Sequence, residues 1–148
     1  MSGAKDIGFS LKKITTEQFA IIEKAYTKGN EVLFITDIEF GIDREKRQVG
    51  ASIEIRFTQN DAPFLLLETL VMFGIHENAW DTFVKKQEQK IIIPKGFLTH
   101  LAMIAVGTTR GVLHAKTENS TFNRFIVPTI NVAERITVDG VFPLIEDE

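Results

Sequence analysis

A chain of 148 residues with 44% hydrophobic and 25% charged side chains has the size and composition of one domain with its own core. The formal charge of −3 gives no electrostatic reason to approach a nucleic-acid backbone, and the absence of cysteine excludes a disulfide scaffold, a thiolate metal site and a cysteine nucleophile. Twelve phenylalanines stand against one tryptophan and one tyrosine. A ring without a polar handle suits dry contacts, in a core or in a greasy groove, and ordinary burial preference places roughly two-thirds of such rings in the core.

In chain order, Met1–Asp6 leads into no apolar run of the kind a signal peptide needs. Thr15 with Gln18 has the form of a capping box, and Phe19, Ile22 and Tyr26 follow at helical spacing, which predicts an amphipathic helix over Thr16–Lys28 closed by Gly29 and Asn30. Val32, Phe34, Ile38, Phe40 and Ile42 alternate with Asp37 and Glu39, the period of a half-buried strand. The charges of Asp43–Arg47 cancel and read as a hairpin tip. From Gln48 to Gln59, Val49, Ala51, Ile53, Ile55 and Phe57 face one way while Ser52, Glu54, Arg56 and Thr58 face the other. After the turn at Asn60–Pro63, a third strand from Phe64 to Ile75 is apolar on both faces and should be covered on both.

Two helices complete the reading. Glu77 to about Lys90 is amphipathic around Trp80, Phe83 and Val84. Pro94 bars Ile93 from helical geometry and starts a long apolar helix from Lys95 to Lys116. Its longest uncharged stretch, Gly96–Thr109, is shorter than the ~20 residues a bilayer span needs, so a cytoplasmic protein without direct membrane insertion is expected. Phe125–Pro128 is extended, Thr129–Ile136 is a short strand or helical turn, and the chain closes on an acidic tail at 140–148.

No catalytic constellation emerges. His100 and His114, fourteen positions apart on one helix, are separated by about 21 Å of rise and cannot share a metal within one chain. There is no nucleophile elbow and no phosphate-cradling glycine cluster. Glu54 and Glu68 could face each other across adjacent strands, but solvated carboxylates on a sheet are commoner than an acid–base couple. The expectation is a protein that is not an enzyme and holds neither cofactor nor metal. Gly107 and Gly111 form a small-xxx-small pair that fits either tight packing on the domain's own sheet or close approach of a second helix from another subunit.

The order of elements carries a resemblance. A strand ending in Val71-Met72-Phe73-Gly74-Ile75 precedes a short helix around Trp80. A long helix then opens with Ile93-Pro94-Lys95-Gly96-Phe97 and contains Thr108-Thr109-Arg110-Gly111, and Phe125-Ile126-Val127-Pro128-Thr129-Ile130-Asn131-Val132 follows. This resembles the SecB family of chaperones over about residues 32–132, with the Pro128–Asn131 phrase the most specific piece. The leading helix over residues 1–30 is an addition to the family's pattern. The chain is also less acidic than export members, which points toward divergent branches, including chaperones that serve toxin–antitoxin pairs.

The resemblance implies a single α+β SecB-like domain, an antiparallel four-stranded sheet with a long C-terminal helix. It implies a homodimer or homotetramer that binds unfolded polypeptide clients in a hydrophobic groove without ATP, for protein export and transport or for toxin–antitoxin control. Expected client-binding residues are Phe57, Phe64, Phe73, Trp80 and Phe83. Asp37, Glu39 and Glu54 are the expected contacts to a partner such as SecA or an antitoxin, and Gly107 and Gly111 mark the oligomer interface. An oligomeric adaptor of the same fold without holdase activity, or a small-ligand binder, is the competing expectation.

Overall fold

The structure, a computed structural model, describes residues 7–145. It is α+β, with two antiparallel sheets and one long helix. Strands β1 (Phe9–Ile21), β2 (Leu33–Asp43), β3 (Gln48–Gln59) and β4 (Ala62–Ile75) form a four-stranded sheet in the order β1-β4-β3-β2. Helix α1 (Glu77–Phe83) leads into a small sheet of β5 (Val84–Lys85), β6 (Lys90–Ile93) and β7 (Gly140–Pro143). Helix α2 (Lys95–Lys116) crosses one face of the large sheet, and a single turn, α3 (Val132–Arg135), packs on it.

The period-two pattern of β3 and β4 explains where the core sits. Val49, Ala51, Ile53, Ile55 and Phe57 lie in register with Phe73, Val71, Thr69, Leu67 and Leu65, all buried. Phe97, Leu98, Leu101, Ala102, Ala105 and Leu113 of α2 close over them. Each large apolar side chain buried this way contributes about 1.5–3 kcal/mol. One polar contact crosses this core: the Thr69 and Thr109 hydroxyls lie 2.6 Å apart. Thr109 gives its own proton to the Ala105 carbonyl at 2.8 Å, so Thr69 is the donor of the pair. By length and composition α2 could cross a bilayer, but 44% of its apolar window is buried within the domain.

Several sequence expectations need correction. The helix expected over Thr16–Lys28, and with it the helical extension over residues 1–30, is replaced by β1, which pairs with β4 from Phe9↔Ile75 to Ile21↔Leu65. Two bulges, between Leu11 and Lys13 and between Thr16 and Gln18, each insert a residue. They stretch the spacing of the inward residues Leu11, Ile14 and Phe19 to three and five, so the strand lost its period of two. Long-range pairing with β4 overrides the local capping signal. A 3-10 turn at Glu23–Ala25 is the helical remnant.

The helix expected to reach Lys90 stops at Phe83. There β-branched Val84 pairs with Ile91, and the hairpin turns through Gln89 at φ 56°. The expected tail begins as strand β7 at Gly140–Pro143, because Val141 and Phe142 pair with Ile92 and Ile91. Met1–Asp6 and the acidic end Glu146–Glu148 lie outside the described residues. The second cover expected for β4 is absent among the described residues: Leu66, Leu70 and Met72 on the far face are only half-buried.

Candidate functional site: a groove along the edge of β2

The five aromatics expected to bind clients are core residues. Phe57, Phe64, Phe73, Trp80 and Phe83 are at most 5% exposed and are closed off from any open groove among the described residues. Phe57 and Phe73 belong to the inward sets of the central strands, which are consumed by packing; Phe64 sits at the register shift between β3 and β4, and Trp80 and Phe83 are the buried residues of α1. Phe64 meets Tyr26, Phe57, Phe122 and Phe125 in one aromatic cluster, while Phe83 packs between Trp80 and Phe97.

The twelve phenylalanines divide evenly. Phe57, Phe64, Phe73, Phe83, Phe97 and Phe122 are buried, whereas Phe9, Phe19, Phe34, Phe40, Phe125 and Phe142 are half-buried. Three of the second group gather in one place. Phe34 and Phe40 lie on edge strand β2, on the side of the sheet that faces α2, and Phe142 approaches from β7. Between β2 and the C-terminal segment run two cavities. One, of about 420 Å³, is bounded by Ile38, Phe40, Leu98, Ile136 and Phe142, with Asp37 and Asp139 at its rim. The other, of about 430 Å³, is bounded by Phe34, the Pro128–Asn131 phrase and Glu134. Both volumes fall in the range of ligand clefts.

The far wall of this groove is tied down at separate points. The Arg110 guanidinium donates from Nε to the Val127 carbonyl at 2.8 Å and from Nη2 to the Pro128 carbonyl at 2.9 Å. Asp139 accepts the Lys95 N–H at 2.9 Å, taking up one of the free donors at the start of α2. Arg44 Nε reaches the Pro143 carbonyl at 2.9 Å. Arg135 Nη1 donates to the Thr36 carbonyl of β2 at 2.8 Å, and Arg135 borders both cavities. Sequence reasoning missed Phe142, Arg135 and the exposed position of β2. The alternation of Phe34, Ile38 and Phe40 was the available signal, but strand order decides whether that face is core or flank.

The acidic residues Asp37, Glu39 and Glu54 do come together. They share the open face of the sheet with Ser52 and Glu68 around a concavity of about 100 Å³. Glu54 and Glu68 are directly opposite in register. Arg56 lies among them, with Nη2 at 3.1 Å from Asp37 and Nε at 3.3 Å from Glu54 in an ion pair short of hydrogen-bond geometry. Four carboxylates around one guanidinium leave this concavity net negative.

Gly107 and Gly111 are exposed on α2, and a Cβ built on either meets no atom within 4 Å. They do not pack on the domain's own sheet. Met103 of the same helix is 59% exposed, and Leu11 and Ile14 of β1, at 45% and 47%, are left uncovered on the α2 side of the sheet. The histidines stand apart: His76 packs on Gly8, His100 meets the Phe9 ring edge-on, and His114 lies beside Asn123.

No protein-family model matches the sequence, and no curated protein matches it. Among solved structures, the fold is similar to that of a SecB-like chaperone of Mycobacterium tuberculosis, Rv1957, in complex with a ChAD peptide from the HigA1 antitoxin. The TM-score is 0.44 at 9% sequence identity, over 82% of this chain and 90% of that one.

Proposed function

We propose that this protein is an ATP-independent, SecB-like chaperone that holds non-native polypeptide segments in the groove along β2. The observation that carries the reading is the pair of cavities beside an edge strand, walled by half-buried Phe34, Ile38, Phe40 and Phe142. Half-burial is the property a holdase needs: apolar surface sheltered enough to keep the empty protein soluble, open enough to receive a client. The resemblance in element order and in the Pro128–Asn131 phrase supports the same reading. Neither a metal nor a bound nucleotide is part of it, and the protein acts by binding rather than by chemistry in the cytoplasm.

The net-negative concavity around Asp37, Glu39 and Glu54 is offered to a basic partner surface, on an export motor such as SecA or on an antitoxin. Uncovered Leu11, Ile14 and Met103, with Gly107 and Gly111 bare beside them on α2, are offered to a second copy of the chain, giving a dimer or tetramer. An adaptor of the same fold is the competing reading, favoured by the burial of the five central aromatics. Aggregation of chemically denatured citrate synthase, followed by light scattering, separates the two. Near-stoichiometric protein should suppress scattering, and Phe40→Asp and Phe142→Asp should each abolish suppression while Trp80 emission stays native. A folded protein that suppresses nothing removes the chaperone reading.

A further inference from the structure

The two outer edges of the large sheet are built differently. β1 is interrupted by two bulges that leave Lys12 and Glu17 unpaired, and Lys12 and Lys13 stand in mid-strand. Bulges and lysines are the usual devices that keep an edge from pairing with another chain. β2 has none of them. Its register with β3 runs unbroken from Leu33↔Thr58 to Asp43↔Gln48, with no lysine and no proline.

Residues of an antiparallel strand direct N–H and C=O to the same side, and that side alternates along the chain. Arg135 reaches the Thr36 carbonyl from outside the sheet, which fixes the phase: the main-chain groups of Phe34, Thr36, Ile38 and Phe40 face outward into the groove. Among the described residues no backbone group pairs with them, and Arg135 supplies their one partner. From Phe34 to Phe40 this free edge is about 20 Å long.

From this we infer that the edge of β2 accepts an extended polypeptide as a fifth strand, and that Arg135 is the latch that must open first. The guanidinium occupies, at the Thr36 carbonyl, the place an incoming main-chain N–H takes, and it stands where the two cavities meet. The inference rests on the peptide-binding role proposed above and specifies its mode. It also specifies the ligand. Side chains of an added strand alternate between the two faces. Those on the α2 side enter the cavities beside Phe34, Ile38 and Phe40 and are apolar. Those on the open side lie beside Asp37 and Glu39 and are basic. The preferred client segment therefore alternates lysine or arginine with apolar residues.

The test uses fluorescein-labelled nonapeptides in which lysine alternates with valine and phenylalanine. Matched forms carry glutamate for lysine, a scrambled order, or N-methyl groups on alternate residues that remove main-chain donors from one edge. The parent peptide should bind, and the other three should bind at least tenfold more weakly. Arg135→Ala should tighten the parent peptide roughly tenfold by removing a charge-assisted hydrogen bond that binding must break. Arg135→Lys, which keeps the charge but loses the planar fork, should fall between. Amide exchange at Phe34, Thr36, Ile38 and Phe40 should slow on binding, a readout that does not depend on any variant folding. Equal binding of the N-methylated and parent peptides overturns the strand addition, and weaker binding by Arg135→Ala with native Trp80 emission overturns the latch. If denatured citrate synthase is still held in that case, the chaperone reading survives; if it is not, both fall.

Discussion

Replacing Phe64 by alanine distinguishes a core ring from a client-binding ring. Phe64 is fully buried, with ring centroids 4.9 Å from Tyr26, 5.1 Å from Phe125, 6.1 Å from Phe122 and 6.5 Å from Phe57. Truncating a buried phenylalanine costs about 3–5 kcal/mol with the cavity included. Loss of four ring contacts, each worth about 0.5–1.5 kcal/mol beyond area, keeps this site at about 4 kcal/mol. With a urea slope of about 2 kcal/mol per molar, the midpoint should fall by roughly 2 M. In a thermal melt the same loss is roughly 12 °C, at about 3 °C per kcal/mol for this chain length. Trp80, the sole tryptophan and 5% exposed, reports unfolding by its emission, at one fixed protein concentration so that assembly contributes equally. An unchanged midpoint together with lost suppression of client aggregation would place Phe64 on a binding surface and sink the core assignment.

The hydroxyl pair in the core makes an asymmetric prediction. Thr109→Val strands the Thr69 proton in a dry site and should cost about 1–3 kcal/mol, whereas adding Thr69→Val to it should restore most of that loss, both read from urea midpoints. Gly107→Ala meets no neighbour and should stabilise α2 by up to about 1 kcal/mol, a gain that appears in the urea midpoint. Gly107→Trp should lower the assembled mass measured by light scattering; unchanged mass would remove α2 from the subunit interface. Leu11→Lys with Ile14→Lys should likewise yield monomers that still bind the alternating peptide, since both side chains are already about half exposed in the chain. Arg110→Lys gives up the fork that holds the Val127 and Pro128 carbonyls and should weaken peptide binding several-fold, with a stability loss of roughly 1–2 kcal/mol by urea.

What the sequence displayed were the elements with an unbroken local pattern. β2, β3, β4 and α2 are within a residue or two of their expected bounds, because a clean period of two and Pro94 are local signals. β1 was hidden for a local reason as well: its bulges broke the alternation, and Thr15 with Gln18 mimicked a cap. That one error concealed the site. Without β1 beside β4, β4 reads as an edge, and β2 carries no special claim to be one. Phe64 and Phe73 then look available for clients, when strand order puts β4 in the middle of the sheet. Arg135 offered no signal at all, since its partner is a backbone carbonyl ninety-nine positions away.

The geometry of one helix on four strands explains why the apolar flanks exist. Four strands at about 4.8 Å spacing place the outer pair some 14 Å apart, and a helix with its side chains is about 10–12 Å wide. α2 lies over β3 and β4, the two central strands, so both outer strands are left partly bare. On the β1 flank the exposed remainder is Leu11 and Ile14, beside a strand edge already blunted by lysines and bulges. Such a flank suits side-chain packing by another subunit rather than strand addition. On the β2 flank the C-terminal segment supplies a loose second wall, touching the edge through Arg135 and leaving cavities on either side. A tighter wall would have buried Phe34, Ile38 and Phe40 as completely as Phe57 and Phe73. The looseness is therefore what separates a binding aromatic from a core aromatic in this chain, and it resides in the wall rather than in the rings.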